Sequence, residues 1–212
     1  SLKISMGSNS FNTAIQLAGC DPKVMSEAAK LVSDLGAGAI DINMGCPAKK
    51  VCNKAAGSAL LRDESLVRDI LSRVVEAVSV PVTLKIRLGW SRDEINATEI
   101  GLIAKDAGVA SLTVHGRTRA CRFAGPVDYQ AIASIKKNVD LPIVANGDIS
   151  SPQKAKEVIE ITNCDAVMIG RAALGKPWLP GQIDNFLKNG DLTEQVSGSD
   201  VIDFLISHLN AL

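Results

Sequence analysis

The sequence predicts an α/β chain that forms most of a (β/α)8 barrel, on three observations. Short apolar segments alternate with amphipathic helical stretches six times. No GxGxxG follows the first of these segments, as an open dinucleotide-binding sheet would require. Nearly every segment also ends in a polar residue, and in a barrel all such ends converge on one mouth. The chain has 212 residues, against about 250 for a typical complete barrel.

The strands are expected at Ala14–Ala18, Ala39–Asn43, Val82–Arg87, Ser111–His115, Pro142–Asn146 and Ala166–Gly170, short and apolar as in a covered parallel sheet. Helices are expected at Pro22–Leu35, Ser65–Val78, Asp93–Ala107, Tyr129–Asn138 and Pro152–Ile161. Asp21-Pro22 and Ser151-Pro152 each place an N-cap before a first-turn proline. Leu35–Gly38 and Ala107-Gly108 carry glycine where a left-handed C-cap belongs. After Gly175 the repeat stops. Helical patterns at Ile183–Leu187 and Val201–Leu212 follow, joined by a polar stretch, and read as the start of a second, helical region.

Apolar residues make up 46% and charged residues 22%, an ordinary core-forming composition. Lys plus Arg equals Asp plus Glu at 23 each, so only a local patch can signal a nucleic-acid partner. No apolar run approaches the roughly 18 residues of a membrane span, and no signal-peptide pattern opens the sequence. The five cysteines include no CxxC pair, so neither a zinc site nor a disulfide framework is expected, and the free thiols point to the cytoplasm.

The chemistry is expected at the strand ends: Gln16, Asn43, Lys85 with Arg87, His115 with Arg117, Asn146 with Asp148, and Gly170 with Arg171. Any one of these is an ordinary loop hydrogen bond; together they describe a mouth that holds a polar ligand. Asn146-Gly147-Asp148 and Gly170-Arg171 follow the last two strands, where barrels often bind phosphate through glycine backbone and a forked arginine. Lys85 and Arg87 point the same way from one apolar strand and require an anionic partner. Two partners fit: a flavin, which gains charge at N1–C2=O on reduction, or an ion pair with Asp41 or Asp148. Cys46, in Asn43-Met44-Gly45-Cys46-Pro47, offers a thiol at the mouth as proton donor or nucleophile. Cys20, Cys121 and Cys164 read as structural, and Cys52 shares the Cys46 loop.

These stretches also resemble a known family. Ala39–Ala48 is similar to the central motif of tRNA-dihydrouridine synthases. So are Gln16–Gly19, Leu84–Arg87, Val114–Arg119, Ala145–Asp148 and Met168–Ala172, in order and with family-like spacing, nearest to the bacterial B-type branch. The resemblance implies FMN as prosthetic group, NADPH as reductant and reduction of the uracil 5,6 double bond in tRNA. It implies that Gln16, Lys85, His115, Asn146, Gly147, Asp148, Gly170 and Arg171 bind FMN and that Cys46 is the catalytic acid. Asn43 and Arg87 would hold the uracil, and the two further arginines, Arg117 and Arg119, suit a polyanionic substrate. The family's opening Pro-Met-Ala strand and its second βα unit are not matched. Residues 1–180 are therefore expected to be barrel strands three to eight, and residues 181–212 the start of a helical tRNA-binding domain. Two other readings stay open. One is an FMN-dependent dihydroorotate or dihydropyrimidine dehydrogenase. The other is a non-catalytic RNA-binding barrel with a basic rim of Lys49, Lys50, Lys54, Arg117, Arg119 and Arg122.

Overall fold

The structure, a computed structural model, describes residues 13–52, 55–192 and 196–210, with Lys49 described in its backbone only. Six strands form one parallel sheet in sequential order: β1 (Ala14–Leu17), β2 (Ala39–Met44), β3 (Val82–Arg87), β4 (Ser111–His115), β5 (Ile143–Asn146) and β6 (Ala166–Met168). Between them run α1 (Pro22–Asp34), a short α2 (Lys49–Cys52), α3 (Glu64–Ala77), α4 (Ala97–Asp106), α5 (Tyr129–Asn138) and α6 (Pro152–Thr162). Two helices follow β6: α7 (Leu179–Asn189) and α8 (Gly198–Asn210). This is the architecture of an α/β barrel lacking full closure among the described residues.

Each strand has two chemically different faces. Ile40, Ile42 and Met44, then Val82, Leu84 and Ile86, then Leu112 and Val114, then Ile143 and Ala145 are buried in one hydrophobic core with α1 and α3–α6. The alternate positions are mostly polar: Asp41 and Asn43, Thr83, Lys85 and Arg87, Ser111, Thr113 and His115, and Asn146. The parallel register aligns Asn43 with Lys85 and Thr113, and Arg87 with His115, Asn146 and Met168. The side-chain period of two therefore collects the polar groups into rows on the face opposite the helices. Burying each of these Ile or Leu side chains contributes about 1.5–3 kcal/mol, so the outward face holds the sheet and leaves the inward face free for chemistry.

The helix starts follow from the sequence. Asp21, Asp63, Asp128 and Ser151 accept from the backbone N–H of Val24, Leu66, Ala131 and Lys154, which satisfies first-turn donors. Gly36 and Gly108 take positive φ just past α1 and α4, where C-caps were expected.

Three local differences separate the structure from these expectations. The helix expected from Asp93 begins only at Ala97, because 88–97 closes as a turn. Asn96 and Ala97 N–H both donate to Leu88 O, Trp90 N–H donates to Glu94 O, and Gly89 bridges Ile95. Gly57–Arg62 forms a 3-10 helix that no periodicity announced. The helix expected at Ile183–Leu187 begins earlier, at Leu179, because Pro180 suits its first turn. α7 spans the expected boundary at residue 180 and packs on α6 through the buried Leu179 and Ile183. α8 has no buried residue, and its Phe204 ring lies 5.4 Å from that of Trp178.

The turn after β3 is tight enough to test. A Cβ at Gly89 would lie 2.0 Å from Glu94 O. Gly89→Ala is expected to destabilise the protein by about 2 kcal/mol, as overpacking against backbone does. The check is a lower urea midpoint at an unchanged m-value.

Candidate active site

At the carboxyl ends of the strands lies a cavity of about 630 Å³. Gln16 from β1, Asn43 and Cys46 from β2 and its loop, Lys85 and Arg87 from β3, and His115 from β4 all line it. So do Asn146, Gly147 and Asp148 after β5 and Gly170 and Arg171 after β6. Eleven of the thirteen residues singled out in the sequence thus share one wall, although up to 155 positions separate them. The other two, Arg117 and Arg119, stand behind it.

Lys85 has no hydrogen bond or ion pair among the described residues. Burial, then the neighbouring Arg87, lower its pKa, with Asp41 opposing. The carboxylates that sequence reasoning offered as partners are both committed elsewhere. Asp41 accepts from Gln16 Nε2 (2.6 Å) and Thr83 Oγ1 (2.7 Å). Asp148 accepts from Arg117 Nη1 (3.1 Å) and Nη2 and from Arg171 Nη2 (2.9 Å), and these arginines hold its pKa below the usual carboxylate range. Four cations, Lys85, Arg87, Arg117 and Arg171, thus stand in or behind the cavity against two carboxylates, an excess that favours an anionic ligand.

Arg87 is buried. Its Nε donates to Gly45 O (2.9 Å) and its Nη1 to Thr118 O (3.0 Å) and Arg122 O (2.7 Å), while no acceptor among the described residues claims Nη2. These bonds tie the Cys46 loop to the loop after β4. Phe123, which no sequence pattern singled out, stands at the mouth between the Arg87 and Arg171 guanidinium groups, 5.5 and 4.7 Å from its ring centroid. Gly147 has φ +127°, and a Cβ there would meet both Val127 methyls at about 3 Å, so the turn carrying Asp148 requires glycine. Tyr129 Oη donates to Gly147 O (2.6 Å) and holds that turn in place.

Arg117 and Arg119 were expected to face a polyanion. Arg117 is 4% exposed and is engaged with Asp148 and Gly125 O. Arg119 lies over Trp90, 4.2 Å from the ring centroid, and its buried Nε has no partner among the described residues. Of the expected basic rim, Lys50 and Arg122 are exposed, whereas Lys54 and the Lys49 side chain lie outside the described residues.

Polar strand ends around a cation-rich cavity define an α/β-barrel protein with a polar, positively charged cleft at its mouth. The family follows from comparison. A model described as dihydrouridine synthase (Dus) matches residues 2–212, and the chain belongs to that family. It is 54% identical over 199 residues to tRNA-dihydrouridine synthase B of Pseudomonas aeruginosa, covering 94% of this chain and 60% of that protein. It is 55% identical to the Xanthomonas axonopodis pv. citri protein of the same name, with the same coverage. The chain therefore spans about three fifths of the length of these curated relatives. Among solved structures, N-acetylneuraminate lyase from Mycoplasma synoviae superposes with a TM-score of 0.59 at 15% identity, covering 88% of this chain and 62% of that one. D-glucarate dehydratase from Agrobacterium tumefaciens gives 0.54 at 14%, covering 73% and 38%. At these identities the likeness is one of fold. No described helix is long and apolar enough to cross a membrane, and no cluster of metal-ligating side chains occurs among the described residues.

His115 is 7% exposed and its Nδ1 has no partner among the described residues. Burial above all, then Arg87, Lys85 and Arg117, push its pKa down to about 3, with Asp148 opposing. The unfolded chain, with a histidine near 6.5, binds the extra proton between those values. Stability from this neutral ring is complete above pH ~6.5 and is lost as pH falls toward 3. The His115 ring resonances are expected to stay flat as pH is lowered from about 8 to about 5; an ordinary midpoint near 6.5 would contradict the burial described here.

Proposed function

We propose that this chain is most of the catalytic barrel of an FMN-dependent enzyme that reduces the 5,6 double bond of particular uridines in cytoplasmic tRNA, with NADPH as reductant. The observation that carries this reading is that Lys85, a cation without a hydrogen bond or ion pair among the described residues, and a thiol, Cys46, open into one cavity. The neutral His115, whose Nδ1 has no partner among the described residues, faces the same space and can serve a polar ligand edge. The residues present suit FMN. Gln16, Lys85, His115 and Asn146 offer donors and acceptors to a flavin ring. Gly147, Asp148, Gly170 and Arg171 surround a place for its phosphate, where Gly170 leaves open space and Arg171 supplies a forked donor. When bound, the flavin supplies the hydride that uracil C6 receives.

The chain's own residues account for the remaining work. Lys85 would offset negative charge at the flavin's N1–C2=O edge, since its partly buried place lowers the dielectric that screens such an attraction. Arg87 Nη2 and Asn43 hold the uracil carbonyl edge, where enolate charge gathers. Cys46 gives its proton to C5, which completes the saturated ring. Asp148, locked by the buried Arg117, keeps Arg171 at the mouth, and so Arg117 acts behind the site. Arg119, Arg122 and Lys50 face the route of the tRNA backbone, and residues 181–212 begin a helical tRNA-binding region.

Cys46→Ala in the full-length protein is expected to slow single-turnover formation of dihydrouridine in unmodified tRNA about a hundredfold or more, the usual worth of a general acid, with flavin content unchanged. Cys52→Ala is expected to leave both alone, since its thiol is turned to Cys46 O (3.5 Å). An undiminished rate in Cys46→Ala removes the acid from this mechanism. Lys85→Ala is expected to lower retained flavin after gel filtration; full retention with an unchanged reduction rate would count against its place at the ring.

A further inference from the structure

The inner wall of the cavity carries a chain of hydrogen bonds that crosses three strands. Thr83 Oγ1 on β3 donates to Asp41 Oδ1 (2.7 Å), and Gln16 Nε2 on β1 donates to Asp41 Oδ2 (2.6 Å). Asn43 Nδ2 then donates to Gln16 Oε1 (2.8 Å). Asn43 Oδ1 finally accepts from the backbone N–H of Gly45 and of Cys46, at 3.0 Å each. The chain starts at an acid and ends at the thiol-bearing residue.

The two sides of a side-chain amide are nearly equal in size, so packing cannot choose how Gln16 and Asn43 face; only hydrogen bonding can. Two orders exist. In the observed order every contact pairs a donor with an acceptor. In the reverse order Gln16 would turn its oxygen on the Asp41 carboxylate, and Asn43 would turn its NH2 on the N–H groups of Gly45 and Cys46. A carboxylate has no donor and cannot adapt to that reversal. Asp41 is 8% exposed, so little water reaches its carboxylate, although Gln16 itself lies open to the cavity.

We propose that Asp41 is a positioning residue. Its acceptor-only carboxylate orients the Gln16 and Asn43 amides, and through them it anchors the Gly45–Cys46 backbone that presents the thiol to the cavity. The consequence for catalysis rests on the reading of Cys46 as the proton donor; the amide order itself does not. Asp41→Asn removes the acceptor-only end of the chain, because an amide can present either side, and leaves the order to the two backbone N–H groups at the other end. Asp41→Asn combined with Gln16→Glu moves the acceptor-only group one place along. The carboxylate introduced by Gln16→Glu then accepts from the new amide at position 41 and from Asn43 Nδ2, so Asn43 keeps its orientation and the Cys46 loop keeps its anchor.

The test is the rate at which iodoacetamide alkylates Cys46 in the full-length protein, followed by peptide mass spectrometry, with the buried Cys164 as internal reference. Asp41→Asn is expected to raise the Cys46 rate roughly fivefold, the population change that matches about one net hydrogen bond. The double variant is expected to return it close to the unsubstituted rate. A merely structural Asp41 predicts the opposite ranking, with two substitutions in the wall worse than one. An unchanged rate in Asp41→Asn, or a double variant no nearer to the original, overturns the proposal. Should the variants not fold, the unsubstituted protein decides. Couplings across hydrogen bonds from Gln16 Nε2 to the Asp41 carboxyl carbon and from Asn43 Nδ2 to the Gln16 side-chain carbonyl are expected, and their absence overturns it. No uridine enters either measurement, so this inference and the proposed reaction fail separately.

Discussion

The structure depends on one constraint: six strands pair in parallel, in sequence order and in register, so that a period of two sorts β2, β3 and β4 into an apolar and a polar face. A slip of one residue in β3 would turn Leu84 and Ile86 into the cavity and drive Lys85 and Arg87 into the helix layer. The apolar face forbids that slip, since burying two unpaired cations costs more than any rearrangement of the mouth could return. Packing on the outside of the sheet thus places the chemistry on the inside.

The cavity's charge follows from how its carboxylates are shared. Asp148 is engaged by two arginines and Asp41 by two neutral donors, which leaves Lys85 without a partner among the described residues. The same cations, together with burial, keep His115 neutral. A site of this kind is poised for a ligand that brings its own negative charge. It also separates residues that meet the ligand from residues that hold them. Arg117 and Asp41 carry charge beside the cavity, yet their bonds are directed to other groups of its wall.

Much of the fold was readable in advance, and for a local reason. Strand cores such as Leu84–Ile86 and capped helices such as Pro22–Asp34 and Pro152–Thr162 announce themselves through neighbours within one turn or two residues. The segment 93–96 did not, because its helical pattern lost to hydrogen bonds with Leu88 O and a cross-bridge at Gly89. Gly57–Arg62 hid for the converse reason: it is ordered by packing of Leu60 and Leu61 in the core, with no period to show it. Among cavity residues, Phe123 left no trace, since a lone aromatic in a polar loop gains meaning only from two guanidinium groups on other parts of the chain.

By itself, the sequence determined the order of the elements, the polar residue at each strand's end and the family that these motifs resemble, because each is written in contiguous residues. Only the tertiary structure decided which acid meets which base. Arg117 and Arg171 share an aspartate 31 and 23 positions away from them, Gln16 reaches Asp41 across 25, and Lys85 meets neither acid. Those distances are set by strand register and loop closure, and a pairing between groups so far apart in the chain is a property of the folded barrel alone.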